Sequence, residues 1–203
     1  MEGDDAALVE RLRAGDEQAF DDLVTRLHPA MLRFAASMSG SDAAEELVQD
    51  TWTAVLDSLG KFEGRSSLRT WMFRILKNRA KTWLTRAKRS VPMPWPPDSD
   101  EPAVDPSRFS PRGNWVSPPQ PWVAHTPEDI VLRMEAGAAL RRELDELPAA
   151  QRAVVTLRDV EGFSSEEVCE ILEISEANQR VLLHRGRSKL RTAMERYLTG
   201  EQP

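Results

Sequence analysis

Ten of the chain's fourteen prolines lie between Ser90 and His125, and this stretch constrains the fold more than any other feature. Each proline removes a backbone donor and disfavours helix at the residue before it. The segment therefore reads as an extended linker with polyproline character, and it divides the 203 residues into two units. Trp95, Phe109, Trp115 and Trp122 punctuate it. Large rings are costly to leave in water, so they either fold back on the flanking domains or dock in the groove of a partner.

On both sides of the linker apolar residues recur with a helical period. Asp4 to Gly15 is a short amphipathic segment with Leu8, Val9 and Leu12 on one side. Asp16 is placed to cap a second helix, whose core positions are Phe20, Leu23, Val24 and Leu27. Pro29 marks a bend or restart; Met31, Leu32, Phe34, Ala35 and Met38 continue the apolar face, and Gly40 ends it. Ser41 or Asp42 caps the next helix, whose early acids Asp42, Glu45 and Glu46 suit its N-terminal dipole. Leu47, Val48, Thr51, Trp52, Val55, Leu56 and Leu59 supply its core. Glu46, Gln49 and Asp50 lie together on its outer surface, where an ordinary solvated face is the simplest account.

The stretch FEGRSSLRTWMFRILKNRAKTWLTRAKR, Phe62 to Arg89, is of a different kind. From Trp71 it predicts one helix, with Met72, Ile75, Leu76, Ala80, Trp83, Leu84 and Ala87 as its apolar face. Arg74, Lys77, Asn78, Lys81, Thr85 and Lys88 fall on the opposite face. No Asp or Glu occurs between Trp71 and Arg89. Like charges on one helical face repel, so this face calls for an anionic partner. The small polar loop Glu63 to Thr70, flanked by Phe62 and Trp71, suits a strand with unstacked bases. A merely solvated basic helix with core tryptophans fits the same residues.

The C-terminal half opens on Thr126-Pro127-Glu128-Asp129, a helix start, with helix through Leu147. Pro148 opens a helix from Ala149 to Val160, closed by Gly162. Ser164-x-x-Glu167 is a capping box for a short helix with Val168, Ile171 and Leu172 inside. After the tight turn Glu173-Ile174-Ser175, Ser175 caps a last helix bearing Arg180, His184, Arg185, Arg187, Lys189 and Arg191. Two short helices, a tight turn and a basic second helix spell helix-turn-helix. Arg185, one turn and a little beyond Arg180, is expected to face a groove with it, and Lys189 to approach phosphate a turn later.

Charge and cysteine usage narrow the function. The net charge of −6 argues against indiscriminate nucleic-acid binding, yet the signs are segregated: Trp71–Arg89 and Asn178–Arg196 are basic and Asp42–Asp57 acidic. That pattern suggests one polyanionic partner and one of basic or mixed character. Cys169 is the only cysteine, which excludes an internal disulfide and a cysteine-based zinc site; it reads as a buried structural thiol. His184 has no second His or Cys at metal spacing. No apolar run approaches the ~20 residues of a membrane span, so a cytoplasmic protein without membrane insertion is expected.

With both halves read, the chain resembles a bacterial RNA polymerase sigma factor of the extracytoplasmic-function (ECF) group. AFDDLVTRLHPAMLRFA and DAAEELVQDTWTAVLDSLGKF are similar to the first parts of that family's region two. FEGRSSLRTWMFRILKNRAKTWL is similar to the part that reads the minus-ten element. ELPAAQRAVVTLRDVEGFSSEEVCEILEISEANQRVLLHRGRSKLR is similar to region four, which reads the minus-thirty-five element. The resemblance implies an all-α fold of two small helical domains: region two over 1–89, a Pro/Trp-rich linker over 90–126, and a region-four helix-turn-helix over 127–203. It implies that Glu46, Gln49 and Asp50 engage the clamp helices of core RNA polymerase (beta-prime and beta subunits). Phe62, Glu63, Gly64, Arg65 and Ser66 would capture a flipped minus-ten base, and Arg74, Lys77 and Asn78 would hold the non-template strand. Arg180, His184 and Arg185 would enter the major groove of promoter DNA, with Arg187 and Lys189 nearer phosphates.

The resemblance further implies control by an anti-sigma factor, no cofactor and no enzymatic activity. Three features depart from it. Glu173 stands where the family usually has glycine; Ala177, Asn178 and Gln179 replace a common Gly-Thr-Val; Val181 and Leu182 stand where a small polar and a basic residue are usual. Two rival readings are a helix-turn-helix regulator that binds duplex DNA alone and a hydrolase built on His184 or Cys169. The acidic helix around Glu46 speaks against the first. The lack of partner residues speaks against the second.

Overall fold

The computed structural model describes residues 2–86 and 137–199. The linker with its four aromatic residues, the Thr126 helix start, and Ala87 and Lys88 lie outside the described residues. Among the described residues every regular element is helical.

The first unit contains α1 (Glu2–Arg13), α2 (Glu17–Ser39), α3 (Ser41–Ser58) with a 3-10 turn at Leu59–Lys61, and α4 (Leu68–Arg86). Asp16 caps α2, its carboxylate accepting from Ala19 N at 3.0 Å. The α2 core stripe, Leu23, Leu27, Met31, Phe34 and Met38, packs on Leu47, Val48 and Val55 of α3 and on Met72, Phe73 and Leu76 of α4. Three expectations need correction. Pro29 does not break α2, which runs through it; Pro29 and Thr25 both face solvent, so water can satisfy the carbonyl that loses its partner. No side chain caps α3: Gly40 takes φ 85° there, and Ser41 is already helical. Leu56 is 52% exposed, because it lies on the side of α3 shared with Gln49 and Thr53 rather than on the stripe through Val48 and Val55.

The second unit contains α5 (137–145), α6 (Ala149–Val155), a π-helical turn (Thr156–Val160), α7 (Ser165–Leu172) and α8 (Glu176–Thr199). Ser164 and Glu167 form the reciprocal capping box of α7, and Ser175 accepts from Asn178 N at 3.2 Å to open α8. Val154, Val155, Leu157, Phe163, Val168, Ile171 and Leu182 form the core. Gly186 lets α8 lie against α6: a Cβ there would stand 2.6 Å from Val155 Cγ2.

The two units pack together. One apolar cluster runs through both, and three rings meet in a row that crosses the boundary, with centroid distances of 5.6 Å for Phe34–Phe73 and 4.8 Å, edge to face, for Phe73–Phe163. Arg152 Nε donates to Ser37 O at 2.7 Å. The contact brings α4 and α7 side by side.

Candidate nucleic-acid interface

Helix α4 begins three residues earlier than its apolar period suggests. Leu68 N donates to Asp5 Oδ2 at 2.9 Å and Thr70 N to Ser67 Oγ at 3.1 Å. Partners from α1 and from the preceding loop thus satisfy the donors that open a helix. The face opposite its region-two core is not a uniform solvated stripe. Asn78, Lys81 and Thr85 are exposed and Arg74 is half-buried, whereas Lys77 is only 5% exposed. The anions that this basic face calls for lie on the second unit. Lys77 Nζ is 2.8 Å from Glu173 Oε2, and Arg74 Nη1 is 3.3 Å from Glu170 Oε1. Lys77 also donates to Asn78 Oδ1 at 3.0 Å.

Three further residues of this contact, Arg33, Arg69 and Glu161, escaped the sequence reading, which saw Glu167 only as half of the α7 capping box. Arg33 binds Glu161 through two hydrogen bonds, 2.7 and 3.1 Å. Arg69 donates to the Glu161 carbonyl at 2.7 Å and lies 4.0 Å from the Phe163 ring centroid, a half-buried cation–π contact. Thr70 Oγ1 donates to Glu167 Oε1 at 2.8 Å. The hydrogen bond to Glu161 raises the Arg33 pKa, while burial lowers that of Arg69 against the pull of Glu161 and Glu167. The Lys77 ammonium holds the Glu173 carboxyl below the usual carboxylate range. Glu173 itself sits at φ 58°, ψ 47°, a left-handed conformation that costs a non-glycine residue about 1–2 kcal/mol.

The loop before α4 opens into a cavity of about 240 Å³, lined by Lys61, Phe62, Glu63, Arg65, Ser66, Trp71, Arg74 and Glu170. Phe62 and Trp71 meet at 5.2 Å between centroids, and Arg65 pairs with Glu63 at 2.7 Å. Four of the five loop residues singled out from sequence therefore converge on one cavity. Gly64, at φ 71°, faces a second hollow that Arg26, Arg33, Arg69 and Glu161 also line.

On α3, Glu46, Gln49 and Asp50 are all exposed, and Leu56 is exposed two turns beyond Gln49. On α8 the face shared by Arg180, His184 and Arg187 is exposed. Arg185 does not share it: five residues at 100° each put it about 140° from Arg180, and it is half-buried. Leu182 packs inward, and Val181 is partly covered. Arg180 pairs with Glu176 at 2.7 Å. Arg187 is held by Asp159 of the π turn through bonds of 2.9 and 2.6 Å, which raise its pKa. Lys189 is exposed. Cys169 is half-buried rather than buried, and burial pushes its pKa up. No described helix is long and apolar enough to cross a membrane.

Comparison with known proteins covers both units. Residues 23–90 match the Sigma-70 region 2 family and residues 137–190 the Sigma-70, region 4 family. The RNA polymerase sigma-H factor of Pseudomonas aeruginosa is 30% identical over 192 residues, 94% of each chain. The ECF RNA polymerase sigma-E factor of Escherichia coli K12 is 29% identical over 186 residues, 92% of each chain. Among solved structures, the sigma factor RpoE bound to the anti-sigma factor NepR from Bartonella quintana has a TM-score of 0.58 at 25% identity. That match covers 87% of this chain and 96% of that one. CnrH in complex with the cytosolic domain of CnrY shares the fold, with a TM-score of 0.58 at 22% identity over 94% and 97% of the two chains. The chain belongs to the ECF sigma factors, with sigma-70 regions 2 and 4, and is a DNA-binding factor of transcription initiation in a family that is not enzymatic.

Proposed function

We propose that the chain binds core RNA polymerase (beta-prime and beta subunits), directs it to a set of promoters and helps melt them, under the control of an anti-sigma factor. The observation that carries this reading is the cavity walled by Phe62, Trp71 and Arg74 at the head of a helix without acids. A base leaving the duplex costs a few kcal/mol to extrude. Ring stacking on Phe62 and Trp71 and the cations of α4 offset that cost. Phe62, Glu63, Gly64, Arg65 and Ser66 capture the base, and Arg74, Lys77 and Asn78 hold the non-template strand. Glu46, Gln49 and Asp50 form the polymerase contact, with exposed Leu56, two turns beyond Gln49, supplying apolar area. Arg180, His184, Arg185, Arg187 and Lys189 serve the minus-thirty-five element. The working units are region two over 1–89, the linker over 90–126 and region four over 127–203. The two solved relatives bound to an anti-sigma factor and to the cytosolic domain of CnrY support control by a protein inhibitor.

The polymerase contact is tested by Glu46→Lys. An exposed change seldom moves stability by more than ~0.5 kcal/mol, so the melting temperature stays near that of the parent. Affinity for core polymerase and promoter-directed transcription both fall. Equal core affinity for the two proteins removes Glu46 from the contact. Tight binding of the parent chain to duplex promoter without core supports an independent regulator instead.

A further inference from the structure

We propose that Glu176 reads a cytosine close to the base taken by Arg180, so that an acid sets part of the specificity for the upstream promoter element. The inference rests on reading α8 as the helix that enters the major groove. A recognition helix meets base edges with its N-terminal residues, and Glu176 is the first residue of α8. Glu176, Arg180 and His184 follow at steps of four, each about 40° further round the helix. All three are exposed, so the carboxylate shares a stripe with the guanidinium. Arg180 Nη2 pairs with Glu176 Oε2 at 2.7 Å, yet the two side chains remain 73% and 58% exposed. The residues between them do not compete for the groove. Ala177 is exposed but carries no polar side-chain atom. Asn178 is half-buried. Gln179 is buried, its Oε1 accepting from Ser165 Oγ at 3.0 Å.

An ionised carboxylate offers acceptors only. In the major groove guanine shows N7 and O6 and thymine shows O4, all of them acceptors, whereas cytosine shows the N4 amino donor. Adenine sets an acceptor, N7, beside its N6 donor. Glu176 therefore accepts from cytosine N4, and it is repelled by guanine and thymine at the same place. A carboxylate facing DNA also lowers affinity for every sequence, because the phosphates repel it. That general loss is offset only where a base donor meets it, which makes the acid selective. Arg180 keeps its own reading edge: a guanidinium has five N–H donors, and the pair with Glu176 occupies one nitrogen. Four residues rise about 6 Å along the helix, against about 3.4 Å per base along a strand. The two groups accordingly address bases one or two pairs apart.

The test uses reconstituted holoenzyme and a promoter library with every base of the upstream element randomised, scored by the transcripts each member yields. The full chain is expected to favour cytosine about tenfold over guanine or thymine at one position. Glu176→Gln moves the preference there to adenine, whose N6 and N7 suit an amide. Glu176→Ala levels it. Both variants keep the preference at the separate position that Arg180→Ala erases. A uniform gain on all sequences for both Glu176 variants shows that the acid acts by charge alone and overturns the proposal. A loss confined to the Arg180 position overturns it too, since Glu176 then acts only through the arginine. If Arg180→Ala is base-specific while the Glu176 variants change no position, the proposal falls and the reading of α8 stands. If Arg180→Ala has no base-specific effect, the reading of α8 itself is contradicted, and the role of Glu176 falls with it.

Discussion

Phe73→Ala is expected to destabilise the chain by about 3–5 kcal/mol, read as a fall in the denaturant midpoint. Phe73 is wholly buried between Phe34 of its own unit and Phe163 of the other. Truncation removes the area of a whole ring and leaves a cavity walled by two rigid ones. A double-mutant cycle with Phe163→Ala isolates the part that crosses between the units, expected at about 0.5–1.5 kcal/mol of coupling. Strictly additive effects show that the halves do not meet in solution. A Phe73→Ala cost below about 1 kcal/mol shows that the ring is not enclosed at all.

Phe73 also shows where the sequence stopped being legible. The helical period picks out Met72, Leu76 and Ala80, which face region two. It says nothing of a second apolar partner, so Phe73 escapes it and Lys77 is placed simply on the basic face opposite. The pairing of α4 with α7 joins residues some 96 positions apart, as in Arg74 and Glu170, and no local pattern encodes a contact of that range. Caps, by contrast, are local chemistry: Asp16, Ser164 with Glu167, and Ser175 were all readable. The demand for an anionic partner was readable too, but the sequence could not say that the chain supplies carboxylates of its own. The rotation of α8 is a different failure. The angle between Arg180 and Arg185 follows from helix geometry alone, and the two were wrongly placed on one face.

That rotation decides the second large effect. Arg180 and His184 lie on the exposed face of α8, where an arginine can bond guanine bidentately in the major groove. Arg180→Ala in the holoenzyme is expected to cost roughly 1–3 kcal/mol, concentrated at one base position of a randomised upstream element. Lys189 is exposed two and a half turns further on, towards the backbone of the duplex. Lys189→Ala weakens all sequences alike and lowers the salt slope by about one. Arg185 is turned away from Arg180 and half-buried, so Arg185→Ala is expected to cost affinity without changing base preference. A base-specific loss for Arg185→Ala or Lys189→Ala, or a uniform one for Arg180→Ala, shows that α8 enters the groove by another face.

The central claim is that the loop cavity and α4 receive the melted strand, and cross-linking tests it most directly. Trp71 lines the cavity against Phe62, so benzoylphenylalanine in its place reports what enters. In open complexes formed by the reconstituted holoenzyme, irradiation is expected to join this position to the non-template strand within the minus-ten element. The chain mixed with the same duplex without polymerase gives no adduct, because no melted strand is present. Adducts only to polymerase, or to the template strand, in complexes that still initiate transcription contradict the claim.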